Sequence, residues 1–379
     1  MDGAIVGNAR IECSQRIDAA KRGRRSALLL PAGILAFALL TLAVVERGNS
    51  EETLSTPPPQ VTPLSQSPPR DFSGLKSPSV PFQPGPVIPG LAEGAIPQGI
   101  AYVAAGDEDD AGRIVISHYM DDGPSRLSVI DRKSGKLVGS VLLKERAVLK
   151  ESADKFHQGH VGGVTVLGRS LFVSSDEQIL QYPVAPLLGE ELPQVLTPTS
   201  VRKCETRASF CTATDDTLLV GEFAYGNKYP TDKSHHVTDR RGIKKRAWVC
   251  GYAANNLAGR PKFVISVRQR VQGMCVTDEA IYLSLSFGRR GRSTIVEYKN
   301  PLGGPAHAAT KLTDGTEVPL WFLDGENYVR EIDFPPMAEG IVMIGDRLAV
   351  LSESGAKKYQ FAGRGPLDRV LLLDVGREK

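Results

Sequence analysis

The stretch Gly163–Val173, with the sequence GVTVLGRSLFV, decides the fold of this 379-residue chain. An apolar run, a polar turn at Leu167-Gly168-Arg169 and a second apolar run follow one another, which is typical of a β-hairpin. The same pattern returns in three further stretches and, with a longer acidic loop, in a fifth: Phe210–Val220, Gly273–Leu283, Gly340–Val350 and Gly99–Ile116. Strand repeats spaced by about 45 to 65 residues predict a β-propeller.

The repeats allow a count of the propeller blades. Five blades are recognisable in residues 96–379, and a sixth stays open because the stretches 184–208 and 303–335 have only weak patterns. The chain ends just after the third strand of its last blade. We therefore expect a strand from the start of the domain, near Val87–Ile96, to complete that blade and remove an open sheet edge.

The segment before the propeller has the composition of a membrane anchor and a spacer. Residues 1–25 form a short basic tail, and Ser26–Val45 is an apolar run of 20 residues without a charge, long enough to span a bilayer as a helix. Residues 46–95 follow as a Pro-rich linker that we expect to be disordered, since 12 of the 26 prolines fall between Pro57 and Pro97.

The charges around the apolar run predict its orientation. Lys21, Arg22, Arg24 and Arg25 precede it and glutamates follow it, so the N-terminus is expected in the cytoplasm and the propeller outside, in the periplasm or on the cell surface. A cleaved signal peptide is the alternative, but no small-residue cleavage site follows the run. We therefore expect a single-pass membrane protein.

Four cysteines would lie outside the cytoplasm, where disulfides persist: Cys204, Cys211, Cys250 and Cys275. Four cysteines allow three pairings, and the sequence does not choose among them. The short separation of Cys204 and Cys211 favours a local loop, which would leave Cys250 with Cys275. Four buried free thiols are the alternative.

The strand phrases also resemble a known group of proteins. QGIAYV (98–103), RIVISHY (113–119) and SRLSVIDRKSGKLVGSV (125–141) look like blades of the bacterial lactonase-like and quinoprotein-like propellers, the YVTN/NHL type. The resemblance implies the architecture only, because the group contains lactone hydrolases, metal-dependent esterases, lyases and binding scaffolds. The metal-ligand pattern of the gluconolactonase members is not found here.

A propeller would gather polar side chains at one mouth of its channel. The loops before the first strand of each blade and the ends of the second strands share that face, which predicts ligand-binding positions at Gln98, Ser209, Gln272 and Glu353. Candidate catalytic residues near the same mouth are His118, His157, His160, Glu222 and Glu339. The alternative is that these groups only hydrogen-bond one another and water.

The motif His157-Gln158-Gly159-His160 is the sharpest local cluster. Two imidazoles could hold a divalent metal if a glutamate completed the set, which makes His157 and His160 the candidate ligands. His160 could instead act as a general base. No GxSxG elbow and no phosphate-binding glycine loop is present in the sequence, which disfavours a serine hydrolase and a nucleotide-binding protein.

Basic clusters mark the loops on the same face. A 24-residue insertion, 223–246, is rich in Lys and Arg, and the next blade adds Arg289, Arg290 and Arg292. Since the whole chain carries only +3, we predict a membrane-anchored scaffold that binds an extracytoplasmic anionic polymer, lipid or protein through this basic face. Nucleic acid would fit the charge but not the location. A lactonase- or esterase-like hydrolase at the channel mouth, with or without a metal, is the alternative.

Overall fold

The computed structural model describes residues 59, 61–66, 77–106, 111–145, 155–257, 259–359 and 365–376. All of them belong to the compact unit Ser55–Lys379. The predicted basic tail and the predicted anchor, Ser26–Val45, lie outside the described residues. Within the described ranges, no helix combines the length and the apolarity that a membrane crossing requires.

The described residues form β-strands joined by turns and three short 3₁₀ helices, Ala185–Leu187, Lys233–His235 and Ala254–Asn256. The strands of the first half are β1 (Phe82–Val87), β2 (Ala95–Ala104), β3 (Gly112–Met120), β4 (Arg126–Asp131), β5 (Leu137–Leu143), β6 (Gly163–Leu167), β7 (Ser170–Ser175), β8 (Gln178–Pro183), β9 (Val195–Leu196), β10 (Ser200–Lys203), β11 (Phe210–Ala213) and β12 (Thr217–Gly221). Those of the second half are β13 (Ala247–Ala253), β14 (Phe263–Val267), β15 (Val271–Val276), β16 (Ala280–Leu285), β17 (Ser293–Lys299), β18 (Ala308–Lys311), β19 (Glu317–Phe322), β20 (Tyr328–Phe334), β21 (Ala338–Ile344), β22 (Arg347–Ser352) and β23 (Arg369–Asp374).

The strands make five sheets, the blades of a propeller, over the described residues. From the channel outward their orders are β2-β3-β4-β5-β9, β6-β7-β8-β10, β11-β12-β13-β14-β19-β18, β15-β16-β17-β20 and β21-β22-β23-β1. Pairing is antiparallel except for β5 with β9 and β14 with β19. The prediction of an all-β propeller with five blades is confirmed.

The weakly patterned stretches do not form a sixth blade. Residues 184–208 supply β9 and β10, and residues 303–335 supply β18, β19 and β20, all of which lie at the outer edges of blades that already exist. Outer strands bury less apolar surface than inner ones, so their alternation is weak in the sequence.

The ring closes through the predicted pairing of the two ends of the domain, but with a different segment. The strand β1 pairs with β23, with Phe82 opposite Leu373, and overlaps the expected range Val87–Ile96 only at Val87. It carries Pro84 and Pro86, which an outermost strand tolerates. Residues 77–95, predicted to belong to a disordered linker, are therefore part of the propeller, and Gln66 binds it too, through the carbonyls of Val87 and Gly135.

Each blade is apolar on both faces because it is packed between two others. In β7, Leu171 enters the core shared with blade one, while its neighbour Phe172 enters the core shared with blade three. In β12, Leu218 and Leu219 divide in the same way between blades two and four. Successive side chains of a strand point to opposite faces, so the near-continuous apolar runs of the repeats are what a stack of blades requires.

The small residue that opens most repeats lets neighbouring inner strands approach at the channel. A Cβ on Gly163 would lie 2.3 Å from the backbone nitrogen of Cys211, and one on Gly99 would lie 2.6 Å from that of Val164. Gly273 and Gly340 face the next inner strand in the same manner. Blade three is the exception, because Phe210 replaces the glycine and its ring lies over Gly221 instead.

The predicted disulfides do not form, since Cys204, Cys211, Cys250 and Cys275 all carry free thiols. Cys211 and Cys250 both lie opposite Val220, so one whole strand separates them. The expected partners Cys250 and Cys275 face different blades, with Cys250 in the core toward blade two and Cys275 in the core toward blade five. Burial raises the pKa of the Cys211 and Cys275 thiols to about 12.

Candidate functional site

A cavity of about 660 Å³ opens at the channel mouth. Loops before the inner strands and the ends of β7, β16 and β22 line it, as the propeller connectivity requires. The structure brings together here seven of the residues singled out in the sequence: Gln98, His160, Ser209, Gln272, Arg289, Glu339 and Glu353.

Two carboxyl groups from blade five form the chemical centre of the cavity. Glu339 belongs to β21 and is 4 % exposed, while Glu353 follows β22 directly. Burial and the charge of Glu353 raise the pKa of Glu339 well above its usual value. Burial also raises the pKa of Glu353, to about 7. Carboxyls with such pKa values can donate and accept protons near neutral pH.

The two carboxyls differ in their surroundings. Gln272 Nε2 donates to Glu339 Oε1 at 3.1 Å, and Gln98 Nε2 donates to Glu353 Oε2 at 3.2 Å. The cations Lys358 and Arg289 act against the rise in the pKa of Glu353, whereas among the residues that the structure describes no cation acts in this way on Glu339. Glu353 therefore ionises first, and Glu339 keeps its proton.

A polar relay connects Glu353 to His160. Gln98 is buried, and its Oε1 lies 3.1 Å from Nδ1 of His160 at the rim of the cavity. Partial burial of the imidazole lowers the pKa of His160, so the ring is neutral at neutral pH. With Oε1 accepting, His160 carries its proton on Nδ1 and leaves Nε2 as an acceptor.

Two tyrosines that sequence reasoning missed complete this side of the cavity. The hydroxyls of Tyr119 and Tyr359 lie 3.0 Å apart, and burial raises the pKa of both. Lys358 lies 5.3 Å from the Tyr119 ring centroid, and Arg289 lies 5.0 Å from that of Tyr359. A signal for Tyr119 was present, since it follows the candidate His118 at the end of a second strand.

Four aromatic residues, Phe223, Tyr225, Tyr229 and Phe287, form what we call the aromatic wall; all but Tyr225 line the cavity. Phe287 stacks on Tyr225 with a centroid distance of 3.8 Å, and the Phe223 and Tyr229 rings meet edge to face at 5.3 Å. Lys228 Nζ lies 5.3 Å from the Phe287 centroid. The blade-three insertion therefore builds one wall of the cavity.

Backbone strain is concentrated at this mouth. Among the described residues, five non-glycine residues have a positive φ, and four of them line the cavity: Asp176, Glu177, Ala208 and Met337. L-residues avoid this conformation unless the surrounding structure enforces it, and such residues cluster at functional sites. This signal could not have been found from the sequence.

Three of the candidate catalytic residues lie outside the cavity. His118 is fully buried beside Ser128, where burial and Arg126 lower its pKa to about 3. His157 is buried, with Nδ1 3.0 Å from the Ser125 hydroxyl and Nε2 3.0 Å from that of Ser175. Glu222 is also buried and binds His235 Nδ1 at 2.8 Å and the Trp248 amide at 3.0 Å. Their contacts anchor loops, and Glu222 holds the insertion in place.

The candidate metal ligands His157 and His160 do not form a chelating pair. Both ring nitrogens of His157 face serine hydroxyls, while His160 is turned to Gln98. Within the described ranges, no group of three or more His, Cys, Asp or Glu side chains is arranged to hold a metal ion.

Part of the basic face is neutralised by carboxylates. Arg240 binds Asp324 through two nitrogens at 2.8 and 2.6 Å, and Arg241 binds Glu326 at 2.7 Å. Lys245 pairs with Asp239, Arg292 with Asp333 and Lys358 with Asp121. Arg290 is exposed and lies outside the cavity. Three of the seven lysines and arginines of the insertion are thus neutralised, and its field is weaker than the sequence suggested.

Comparison with known proteins gives structural neighbours only. No family model matches the chain, and no curated protein matches it at a significant level. A solved structure of the GH43_1 enzyme from Xanthomonas citri complexed with xylose is 13% identical over 79% of this chain and 91% of its own, with a TM-score of 0.45. CoXyl43, a GH43 β-xylosidase/α-arabinofuranosidase from a compost metagenome, is 10% identical over 77% and 94%, with a TM-score of 0.43. The RS223 β-xylosidase is 11% identical over 79% and 96%, with a TM-score of 0.41.

The prediction of a binding scaffold that acts through its basic face is wrong. Within the described residues, four of the cations of that face, Arg240, Arg241, Lys245 and Arg292, are bound by carboxylates. The two carboxyls with raised pKa values, Glu339 and Glu353, lie instead at the channel mouth. The likeness to these enzymes is one of fold, and it does not supply a substrate.

Proposed function

We propose that the protein is a hydrolase whose active site is the channel-mouth cavity, with Glu339 and Glu353 as its acid and base. The observation that carries the proposal is the raised pKa of both carboxyls within one cavity. Two carboxyls that ionise in sequence provide a proton donor and a proton acceptor at the same pH.

The order of ionisation assigns the roles. Glu339, the more buried group, keeps its proton and donates it to the oxygen of the leaving group as the bond breaks. Glu353, ionised first, removes a proton from the attacking water, whose oxygen forms the new bond. Gln272 and Gln98 fix the two carboxyls by the hydrogen bonds described above, so both point into the site before substrate binds.

The chemistry of the walls favours a glycoside as the substrate. Sugar rings present polar edges and apolar faces, which suit a cavity with amides and carboxyls on one side and stacked aromatic rings on the other. A pair of carboxyls is also the machinery that glycosidic bonds require. Esters and lactones, the substrates of the hydrolase alternative drawn from the sequence, form the second substrate class to be assayed.

The decisive experiment measures hydrolysis by the full chain and by the variants Glu339→Gln and Glu353→Gln. A panel of aryl xylosides, arabinofuranosides and uronides, together with aryl esters and lactones, covers both classes. Each substitution should lower kcat by about 10²- to 10⁴-fold, the usual contribution of a general acid or base. Glu177→Gln is the matched control, because Glu177 lines the same cavity but is exposed. Full activity in both variants, or no hydrolysis of any substrate by the unmodified chain, would overturn the proposal.

We also propose that this hydrolase works outside the cytoplasm, held to the cell membrane by Ser26–Val45. The support is the uncharged run of 20 residues with Lys and Arg before it and glutamates after it. A hydrolase in that location would meet the polymers of the cell envelope or its surroundings. Polymers of this kind are therefore candidate substrates.

A further inference from the structure

A second cavity, of about 830 Å³, lies between blades three and four beside the aromatic wall. Three tyrosines and three cations are prominent in its lining: Tyr225, Tyr298, Tyr328, Lys228, Lys244 and Arg270. Tyr225 and Tyr328 are 36% and 45% exposed. Large aromatic rings left open to water at a concave surface usually mark a binding site.

The second cavity continues from the channel-mouth cavity. Lys228 lines both, and the Tyr225 ring of the second cavity stacks on the Phe287 ring of the first. Arg270 in the second cavity is only two residues before Gln272, which holds Glu339. The two cavities therefore adjoin at Lys228 and at the Tyr225–Phe287 stack, and together they are called the groove, with the second cavity as its distal part.

The distal part of the groove is positively charged. Of the charged groups that line it, Asp324 is bound by Arg240, Lys245 is paired with Asp239 and Arg268 with Glu331. Lys228, Lys244 and Arg270 form no ion pair with any residue that the structure describes. Three unneutralised cations beside exposed rings attract a ligand that carries both anionic groups and apolar ring faces.

The conformation of Arg270 supports a binding role. Its φ is +71°, which is unfavourable for a side chain longer than glycine. Two backbone hydrogen bonds hold it, one to the carbonyl of Ala224 and one from the amide of Ser286. Gln269 also accepts from the Gly226 amide at 2.7 Å, which ties the two walls of the groove together. The structure thus maintains a strained residue in the lining of the groove.

We propose that this distal groove binds a segment of a polymeric substrate, an anionic glycan whose sugar rings stack on Tyr225 and Tyr328 and whose acidic groups pair with Lys244 and Arg270. The inference rests on the proposed hydrolase function and specifies its substrate class. On this proposal the enzyme binds several sugar units of a polymeric glycan along the groove. Lys228, at the junction of the two cavities, contacts the unit between them.

The test measures binding separately from cleavage. Calorimetry on the full chain carrying Glu339→Gln uses short and long oligomers of galacturonic acid, sulfated oligosaccharides, neutral xylo-oligosaccharides and a single-stranded oligonucleotide. Long anionic oligomers should bind at least about tenfold more tightly than short or neutral ones, since a charge-assisted contact is worth about tenfold in affinity. Adding Lys244→Ser and Arg270→Ser should remove this advantage, and raised salt should weaken it.

Tyr328→Ala tests the contribution of ring stacking, because Tyr328 lines only the distal cavity. The matched control for Lys244→Ser is Lys133→Ser, since Lys133 lies in the exposed turn after β4. A Tyr328→Ala variant with an unchanged melting temperature should lose affinity for every glycan, and Lys133→Ser should lose none. Equal affinity for short and long oligomers, or for the oligonucleotide and the glycan, would overturn the inference. Tight binding of long anionic oligomers without any hydrolysis by the unmodified chain would instead uphold the groove and refute the hydrolase.

Discussion

Replacement of Glu353 by Gln should stabilise the protein in a pH-dependent way. The folded state raises the pKa of Glu353 from 4.5 to about 7, so between these values the folded protein keeps a proton that the unfolded chain releases. Stability contributed by this carboxyl is therefore present at acid pH and is lost as the pH rises through that window. At 1.36 kcal/mol per pKa unit, the loss is about 3 kcal/mol by pH 7.

The variant should escape this loss, since its amide does not ionise and can still accept from Gln98. Removing the Glu353 charge also relieves Glu339, whose pKa it raises. Urea unfolding of the full chain at about pH 5 and about pH 8 should thus show similar stabilities at the lower pH, with the variant more stable by about 3 kcal/mol at the higher pH. Glu177→Gln should follow the unmodified chain. A constant difference between Glu353→Gln and the unmodified chain at both pH values would refute the assignment of a buried, proton-holding carboxyl.

Three other outcomes are expected. Gly163→Ala should lower the free energy of unfolding by about 1–3 kcal/mol, because its Cβ would meet the Cys211 nitrogen at 2.3 Å, while Gly303→Ala, with open space around it, should change it by less than about 0.5 kcal/mol. An alkylating reagent should leave Cys211, Cys250 and Cys275 unmodified in the native protein and react with them after unfolding without a reductant; a disulfide found by mass spectrometry would contradict this. A reporter that is active only outside the cytoplasm should be active when it is fused after Lys379. Activity of a reporter that works only in the cytoplasm would contradict the proposed orientation of the anchor.

The sequence was sufficient to predict the architecture, because a blade packed between two others demands apolar residues on both faces, and the hairpins with that pattern repeat. It also predicted which loops meet at the channel mouth, since the connectivity of a propeller settles that. Gln98, Gln272, Glu339 and Glu353 could be placed together for this reason. The outer strands could not be found, because short strands such as Val195–Leu196 carry almost no periodicity.

The sequence could not show which polar groups near the mouth face the cavity and which are engaged in hydrogen bonds elsewhere. His118, Glu222 and Glu339 are all buried polar residues, yet the hydrogen bonds of His118 and Glu222 lie within the scaffold, and only Glu339 faces an open cavity. Charge counting failed for a related reason. The carboxylates that neutralise the insertion, Asp324 and Glu326, lie more than 80 residues further along the chain, and nothing in the local sequence indicates that they are partners.

The pairing of β1 with β23 limits the stage of folding at which blade five can be completed. Phe82 and Leu373 are almost 300 residues apart in the chain, so their contact has a high loop-closure cost and can form only after β23 has been synthesised. Both proposed catalytic glutamates lie on the blade that this pairing completes. A chain cut short before Arg369 would lose the strand that β1 joins and leave β22 as an open edge next to the active site. Truncated chains should therefore be inactive and prone to aggregation. Activity would require the last strand of the propeller, β23.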